Sequence, residues 1–435
     1  MFKFKGGIHV PENKITEQSS IIDGPYPKKV IIPLQQHIGA PCKPIVNTGD
    51  SVKTGQKIGE SMGFVSVPVH SSVTGIVKQI KEHFTPLGIP SSSVVIEAQE
   101  SDEWIKPEKD YIDFFRFDPE ELINVIKENG IVGLGGAAFP THVKLSPPAN
   151  KPIDTVIVNG AECEPYLTND YRVMIEYARD IIDGLNIVMH ILKTDRGIIC
   201  IEDNKPQAIQ VIKEEVAKQP NMELMILKTY YPQGSEKQMI YAVTKREVPP
   251  DGLPMDVGCV VQNVGTLYAI KHAVYTGKPL IERIITVTGH NISKPSNLLV
   301  RIGTSIRDIL EFCGWNGKAG KIISGGPMMG IAQRSVDVPV IKSTGGILIL
   351  DEKAVGEWIT KECIRCGKCI EVCPMNLMPV MIYTYAEKRM WKKLKKYNVA
   401  DCMECGCCTY SCPAKLPIVQ SVKWAKVEIR KKNNT

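Results

Sequence analysis

The chain has 435 residues, enough for about three domains at roughly 150 residues each. At 43% apolar and 23% charged, with 53 basic against 47 acidic side chains and a net charge of +6, it has the balance of an ordinary globular protein. That excludes a disordered, collagenous or coiled-coil architecture. No stretch approaches the ~18–20 apolar residues of a membrane span, and the start lacks the apolar core of a secretory signal. A cytoplasmic location is expected unless a partner holds the chain elsewhere. Nine of the fourteen cysteines fall between Cys363 and Cys412. Such clustering points to metal before disulfides, and to a reducing compartment.

In chain order, residues 1–29 are rich in polar and turn residues and are expected to form an arm that wraps the first domain. Residues 30–100 alternate short β-type runs with turns. Two segments there, Gly49 to Ile58 and Pro68 to Val77, resemble the halves of a lipoyl or biotinyl carrier domain. The turn between them, Glu60-Ser-Met62-Gly-Phe64, lacks the lysine such a carrier would display, so a structural β-sandwich without a swinging arm is expected. Residues 115–280 read as alternating β and α units, with buried strands at 153–158, 197–201 and 223–227 and helices at 120–129, 171–192, 205–218 and 235–244. That pattern implies an open, doubly wound parallel sheet. Residues 281–350 return to short strands with one helix at 305–313, a β-rich module of ubiquitin-like size. From 352 to 435 the chain is helical wherever the cysteines allow.

The cysteine runs are Cys363-x2-Cys366-x2-Cys369-x3-Cys373-Pro and Cys402-x2-Cys405-x2-Cys408-x3-Cys412-Pro. Each has the spacing of bacterial two-cluster ferredoxins, in which the fourth cysteine ligates the other cluster. The expected ligand sets are therefore Cys363, Cys366, Cys369 and Cys412 for one 4Fe-4S cluster, and Cys402, Cys405, Cys408 and Cys373 for the second, with Cys407 left over. Four thiolates also suit zinc, but zinc sites normally use two C-x2-C pairs across a loop. The 28 residues between Cys373 and Cys402 are rich in helix formers, which predicts a helical two-cluster domain.

Three further segments carry candidate binding residues. Gly133-Leu-Gly135-Gly136, followed by Phe139-Pro-Thr-His142-Val-Lys144, is either a tight turn or a backbone cradle for a phosphate, with Lys144 adding charge. Asn159-Gly-Ala-Glu162-Cys-Glu164-Pro lies just beyond a predicted strand, at the end of the sheet where α/β folds bind ligands. Gln262-Asn263 opens a helix, either as a cap or as a reader of a ring's polar edge.

In order and spacing these segments resemble the flavin-binding subunit of respiratory complex I. Departures include His142 for a glycine, Ala161 for an aspartate and Gly265 for a glutamate. With the carrier-like domain in front and the two-cluster tail behind, the whole chain more closely resembles the C subunits of Rnf complexes, membrane-bound ferredoxin:NAD oxidoreductases that couple electron transfer to Na+ or H+ transport. Phe4 to His9, Asn159 to Leu167, Tyr231-Pro-Gln-Gly234-Ser-Glu236 and Gly325-Gly-Pro-Met-Met-Gly330 carry that likeness. It implies a barrel-sandwich domain, a Rossmann-like FMN/NADH domain, a β-grasp module of the SLBB type and a ferredoxin-like domain. It further implies FMN over the glycine loop, with Gly133, Gly135, Gly136 and Lys144 near its phosphate. Asn159, Glu162, Gln262 and Asn263 would face its polar atoms, and Phe139 and Glu164 the NAD(H) side. Hydride transfer requires no side-chain acid or base, so no catalytic residue is named.

The implied partners are the integral membrane subunits, the ferredoxin-like B subunit and NADH, with the chain peripheral on the cytoplasmic face of the membrane. Residues 384–435 hold twelve Lys or Arg against four Asp or Glu. That surplus is either a docking face for an acidic partner or lipid headgroups, or a solvated helix face. Nucleic acid is not expected, since no recognition motif accompanies the charge. Similar chains could serve as a cobalamin reductase or as the electron-input subunit of an amino-acid reductase, and a relay scaffold without a working nucleotide site is the alternative from another class.

Overall fold

The computed structural model describes residues 4–106 and 111–433, so the first three residues of the arm and the last two of the tail lie outside the described residues. In the barrel-sandwich domain, Lys29–Pro33, Pro90–Ala98, Gly75–Phe84 and Ser51–Val52 form an antiparallel sheet in that order. Lys43–Pro44, Lys57–Glu60 and Val69–His70 make a second, smaller sheet. Period-two alternation sends Val30, Ile32, Val94 and Ile96 into the core with Leu34, Val52 and Ile58.

The α/β domain holds four parallel strands in the order Met222–Leu227, Gly197–Glu202, Thr155–Gly160, Cys259–Asn263. The first three in sequence step outward in one direction, and the last returns to the other side of Thr155–Gly160. Strand order thus reverses between Thr155–Gly160 and Cys259–Asn263, which opens a crevice beyond their carboxyl ends. Asn159 and Asn263 are register partners at that point. Helices Pro119–Glu128, Pro206–Val216 and Glu236–Thr244 lie where the periodicity predicts. The expected single helix at 171–192 is instead two, Asn169–Glu176 and Ala178–Leu192, broken at Tyr177 (φ −130°, ψ 33°). Apolar periodicity runs through the break and hides it. Tyr177 packs its ring against Tyr268 with centroids 4.8 Å apart.

The β-grasp module is built on Glu282–Gly289, Ser296–Arg301, Lys321–Ser324, Ile331–Ala332 and Gly346–Leu350, with one helix, Ile306–Phe312. Its sheet gains a sixth strand from the arm, Ile21–Asp23, parallel to Ser296–Arg301. This corrects the expectation that the arm wraps the first domain. It crosses the others: Gly7 N–H donates to Val372 O in the tail (2.9 Å), and Ile8 exchanges two backbone hydrogen bonds with Tyr231 in the α/β domain. Backbone pairing has no side-chain pattern of its own in so short a strand, so the sequence offered no sign of it.

In the tail, helices Pro379–Glu387 and Ile418–Asn433 pack through Ile382, Ala386, Val422 and Ala425. The two cysteine runs are also conformational copies. Arg365 and Glu404, Gly367 and Gly406, and Asn376 and Lys415 all have positive φ, each pair at the 39-residue offset that relates Cys363 to Cys402.

Candidate functional site

The glycine loop rests on the start of helix Val264–Thr276. Gly133 N–H closes its turn on Phe139 O (2.8 Å), Leu134 N–H donates to Thr266 Oγ1 (2.8 Å), and Leu134 O accepts from Arg283 Nη2 (2.6 Å). Gly135 and Gly136 remain exposed. A Cβ on Gly135 would lie 3.5 Å from Asn263 Cβ, and Gly136 sits at φ +115°, a conformation that only glycine adopts freely. Asn263 is the helix cap: its Oδ1 accepts from Gly265 N–H (2.9 Å) and its Nδ2 donates to Asp170 Oδ2 (2.6 Å). Gln262 is buried with Nε2 unpartnered among the described residues. Lys144 Nζ donates to Glu236 Oε1 (2.6 Å) and Val261 O (3.1 Å), so its charge is engaged at the sheet edge.

The acidic loop leaves the neighbouring strand. Asn159 Nδ2 donates to Gly234 O (2.7 Å), tying the loop to the Tyr231–Gly234 turn. Glu162, at φ 50°, accepts from Asp170 N–H through Oε1 (2.6 Å), while Oε2 has no hydrogen-bond partner among the described residues and lies 3.9 Å from Lys14 Nζ. Burial pushes its carboxyl up to about 7 against the pull of Lys14. Lys14 spends its three donors on the carbonyls of Glu162 (2.9 Å), Glu164 (2.8 Å) and Leu167 (2.6 Å). Sequence reading missed it, because a lone lysine in a polar arm looks like any surface charge.

Glu164 is partly buried. Its two oxygens accept the Met328 (3.1 Å) and Met329 (2.7 Å) N–H groups of the β-grasp turn, and burial raises its pKa to about 7. A Cβ on Gly326 would fall 2.3 Å from Glu164 Oε2, so a side chain there would displace this carboxylate. Met328 O in turn faces Gly406, 3.2 Å from where a Cβ would stand.

The structure brings Cys373 together with Cys402, Cys405, Cys407 and Cys408 around a cavity of about 390 Å³ whose other walls are mostly apolar. Burial raises the Cys408 thiol above its ordinary range, and the nearby thiols of Cys402, Cys405 and Cys373 push the same way. The neighbours that act so on Cys369 are Cys412, Cys363 and Cys366. The grouping is the crossed one, each run lending its last cysteine to the other. Among the described residues no three His, Cys, Asp or Glu side chains converge on a point, as a single ion requires. Five cysteines border the cavity, four of them at the motif positions, an arrangement that suits a cluster of finite size. Cys363 and Cys366 are exposed, whereas Cys373, Cys405 and Cys408 are buried, Cys405 in a cluster with Ile8 and Tyr231. Cys407 is fully buried beside the same Tyr231 and Cys405.

A larger cavity, of about 560 Å³, lies behind the glycine loop against Tyr268, Arg283 and Leu299; Leu134 and Gly265 line it, but none of the ten candidate cofactor-binding residues does. The crevice fits a flavin better by its chemistry. It offers exposed glycine amides for a phosphate, and the buried Gln262 amide, unpartnered among the described residues, lies at the end of the adjacent strand.

The chain is 46% identical over 430 residues to the C subunit of the proton-translocating ferredoxin:NAD+ oxidoreductase complex of Clostridium ljungdahlii, covering 98% of this chain and 94% of that one. It is a member of the RnfC family. The Na+-translocating counterpart from Acetobacterium woodii is 45% identical over 99% of this chain and 98% of its own. Family models match in sequence order: the RnfC barrel sandwich hybrid domain over residues 2–101, the Nuo51 FMN-binding domain over 126–272, the SLBB domain over 284–332 and a 4Fe-4S dicluster domain over 362–416. The family thus combines an FMN-binding and a dicluster domain in one chain. A crystal structure of an NAD+-reducing [NiFe]-hydrogenase shares the fold at a TM-score of 0.50 and 16% identity, over 72% of this chain and 63% of that one. Among the described residues no helix is long and apolar enough to cross a membrane.

Proposed function

We propose that this chain passes electrons between NAD(H) and a ferredoxin-type partner, through FMN in the crevice and two 4Fe-4S clusters in the tail, as the peripheral electron-transfer subunit of an ion-translocating Rnf complex. FMN, when bound, supplies the one chemistry that links a two-electron hydride donor to one-electron carriers. This chain's residues hold and orient: the glycine loop and Gln262 on the flavin side, the crossed cysteine sets on the cluster side.

The observation that carries the reading is the joint between them. Tyr231, on the turn that Asn159 holds, donates its hydroxyl to Cys405 O (2.7 Å), and Gln238 Nε2 donates to Pro374 O (2.9 Å). The Cys373/402/405/408 cavity therefore abuts the flavin crevice, and the Cys363/366/369/412 set faces outward. Electrons would use the buried cluster as the inner station and the exposed one as the port for the ferredoxin-like B subunit. The basic helices Trp391–Lys395 and Ile418–Asn433, which pack on the Cys373/Cys402 side of the tail, would face an acidic partner on the cytoplasmic side of the membrane. The two relatives differ in coupling ion.

Anaerobic NADH titration of the FMN- and cluster-replete protein tests this. Bleaching of the flavin followed by paramagnetic signals from reduced clusters is expected. A flavin that stays oxidised with excess NADH overturns the reading.

A further inference from the structure

We propose that the apex of the barrel-sandwich domain forms the outer wall of the dinucleotide site, with Phe64 and Met62 receiving the adenine of NAD(H) and His142 holding the apex onto the glycine loop. The inference rests on the nucleotide site proposed above.

The apex is two loops locked together. Gly39, at φ +117°, lies so close to Val65 that a Cβ there would stand 2.0 Å from Val65 O, and Ala40 N–H donates to that same carbonyl (3.0 Å). The locked pair touches the glycine-loop segment on both sides of Phe139. Ile38 N–H donates to Ala138 O (3.3 Å), and Phe64 O lies 2.8 Å from His142 Nε2. The Phe64 and His142 rings meet edge to face at 5.7 Å and 84°. His142 is one of the residues at which the chain departs from the complex I pattern, and the glycine it replaces could make neither contact. It is 3% exposed and its Nδ1 has no partner among the described residues. Nε2 must therefore carry the proton it donates to Phe64 O, with the imidazole neutral, as its burial favours.

What the apex presents outward is apolar. Phe64 is 63% exposed, Met62 52% and Ile38 52%, on loops that contact Ala138 and His142 of the glycine-loop segment. Large apolar side chains gathered at the rim of a polar, glycine-lined crevice mark a place for a flat ligand surface. Hydride transfer fixes the nicotinamide over the flavin inside the crevice, so the base left at the rim is the adenine.

Phe64→Ala in the full-length, cofactor-replete chain tests this. The readouts are FMN content, binding of ADP-ribose by calorimetry, and steady-state reduction of ferricyanide, in which one NADH yields two ferrocyanide, one NAD+ and one proton. The expected result is unchanged FMN content, with KM for NADH and the ADP-ribose dissociation constant raised about tenfold, the scale of losing one base-aromatic stack. Phe64→Trp should restore both. KM for dihydronicotinamide mononucleotide, which has no adenine, should not move. Phe84→Ala, on an exposed ring at a hairpin end of the same domain, serves as the control. The proposal fails if Phe64→Ala binds NADH and ADP-ribose as the parent does, if it loses FMN instead, or if the mononucleotide is weakened equally. A parent protein that binds ADP-ribose normally but is not reduced by NADH would sink the function proposed above and leave the wall standing.

Discussion

The Tyr231 hydroxyl donates to the backbone carbonyl of Cys405 across 2.7 Å, with the tyrosine 1% exposed. One hydrogen bond thereby spans the boundary between the nucleotide domain and the cluster domain, in a setting with no water to replace it. Tyr231→Phe keeps the ring and orphans the carbonyl. It should cost about 1–3 kcal/mol of stability, read by denaturant unfolding, and should slow cluster reduction after NADH mixing relative to flavin bleaching. Equal rates for variant and parent would show that the joint is mechanically redundant.

Lys14 holds the acidic loop from the arm. Lys14→Met leaves three carbonyls without donors and Glu162 without its counter-charge. Breaking such a buried cluster typically costs about 3–5 kcal/mol. Loss of unfolding free energy on that scale, together with reduced FMN retention on gel filtration, is expected.

Crossed ligation predicts an asymmetry between neighbouring cysteines. Cys369→Ser should abolish the outer cluster, whereas Cys373→Ser, four residues later, should abolish the inner one. Paramagnetic resonance of the two reduced variants should lose different signals. Loss of the same signal from both would mean that each run holds its own cluster.

Glu164 gives a pH signature of defined sign. Its pKa is raised to about 7, from 4.5, by burial. The folded state therefore binds more protons than the unfolded one between those values, and the group's stabilising contribution is lost as pH rises through 7. His37 and His70, depressed by burial to about 4 and about 3, act oppositely, losing stability as pH falls from 6.5. The informative quantity is thus a difference: Glu164→Gln should lessen the fall in melting temperature from pH 5.5 to 7.5. Parallel curves for the two proteins would refute the assignment.

If the tail docks by charge, salt should weaken the association. Lys388, Arg389, Lys392, Lys393 and Lys396 are exposed, whereas Lys426 is turned inward onto Cys402 O and Glu404. Raising ionic strength shortens the screening length to about 3 Å at 1 M, and binding to the membrane subunits in a pull-down should drop accordingly. Lys426→Ala would instead disturb the inner cluster.

Much of the candidate site is legible because the chemistry proposed for it requires particular residues at fixed spacing. The cysteine runs, the glycine loop and the acidic loop after Thr155–Gly160 could be read directly. What escaped was tertiary. Glu164, expected on the nucleotide side, spends both oxygens on Met328 and Met329, and Asn263, an open choice between cap and reader, caps a helix. Nothing local announces that a carboxylate will meet a turn 164 residues away. Lys14 was invisible for the same reason, and Lys144, assigned to a phosphate from its place in the motif, is paired with Glu236.

The arm's strand Ile21–Asp23 lies against Ser296–Arg301. During synthesis the first strand leaves the ribosome some 270 residues ahead of its neighbour, roughly a quarter of a minute to a minute at ordinary elongation rates. The earliest-made segment must therefore wait, and the belt that joins three domains is fastened only after the nucleotide domain has been translated.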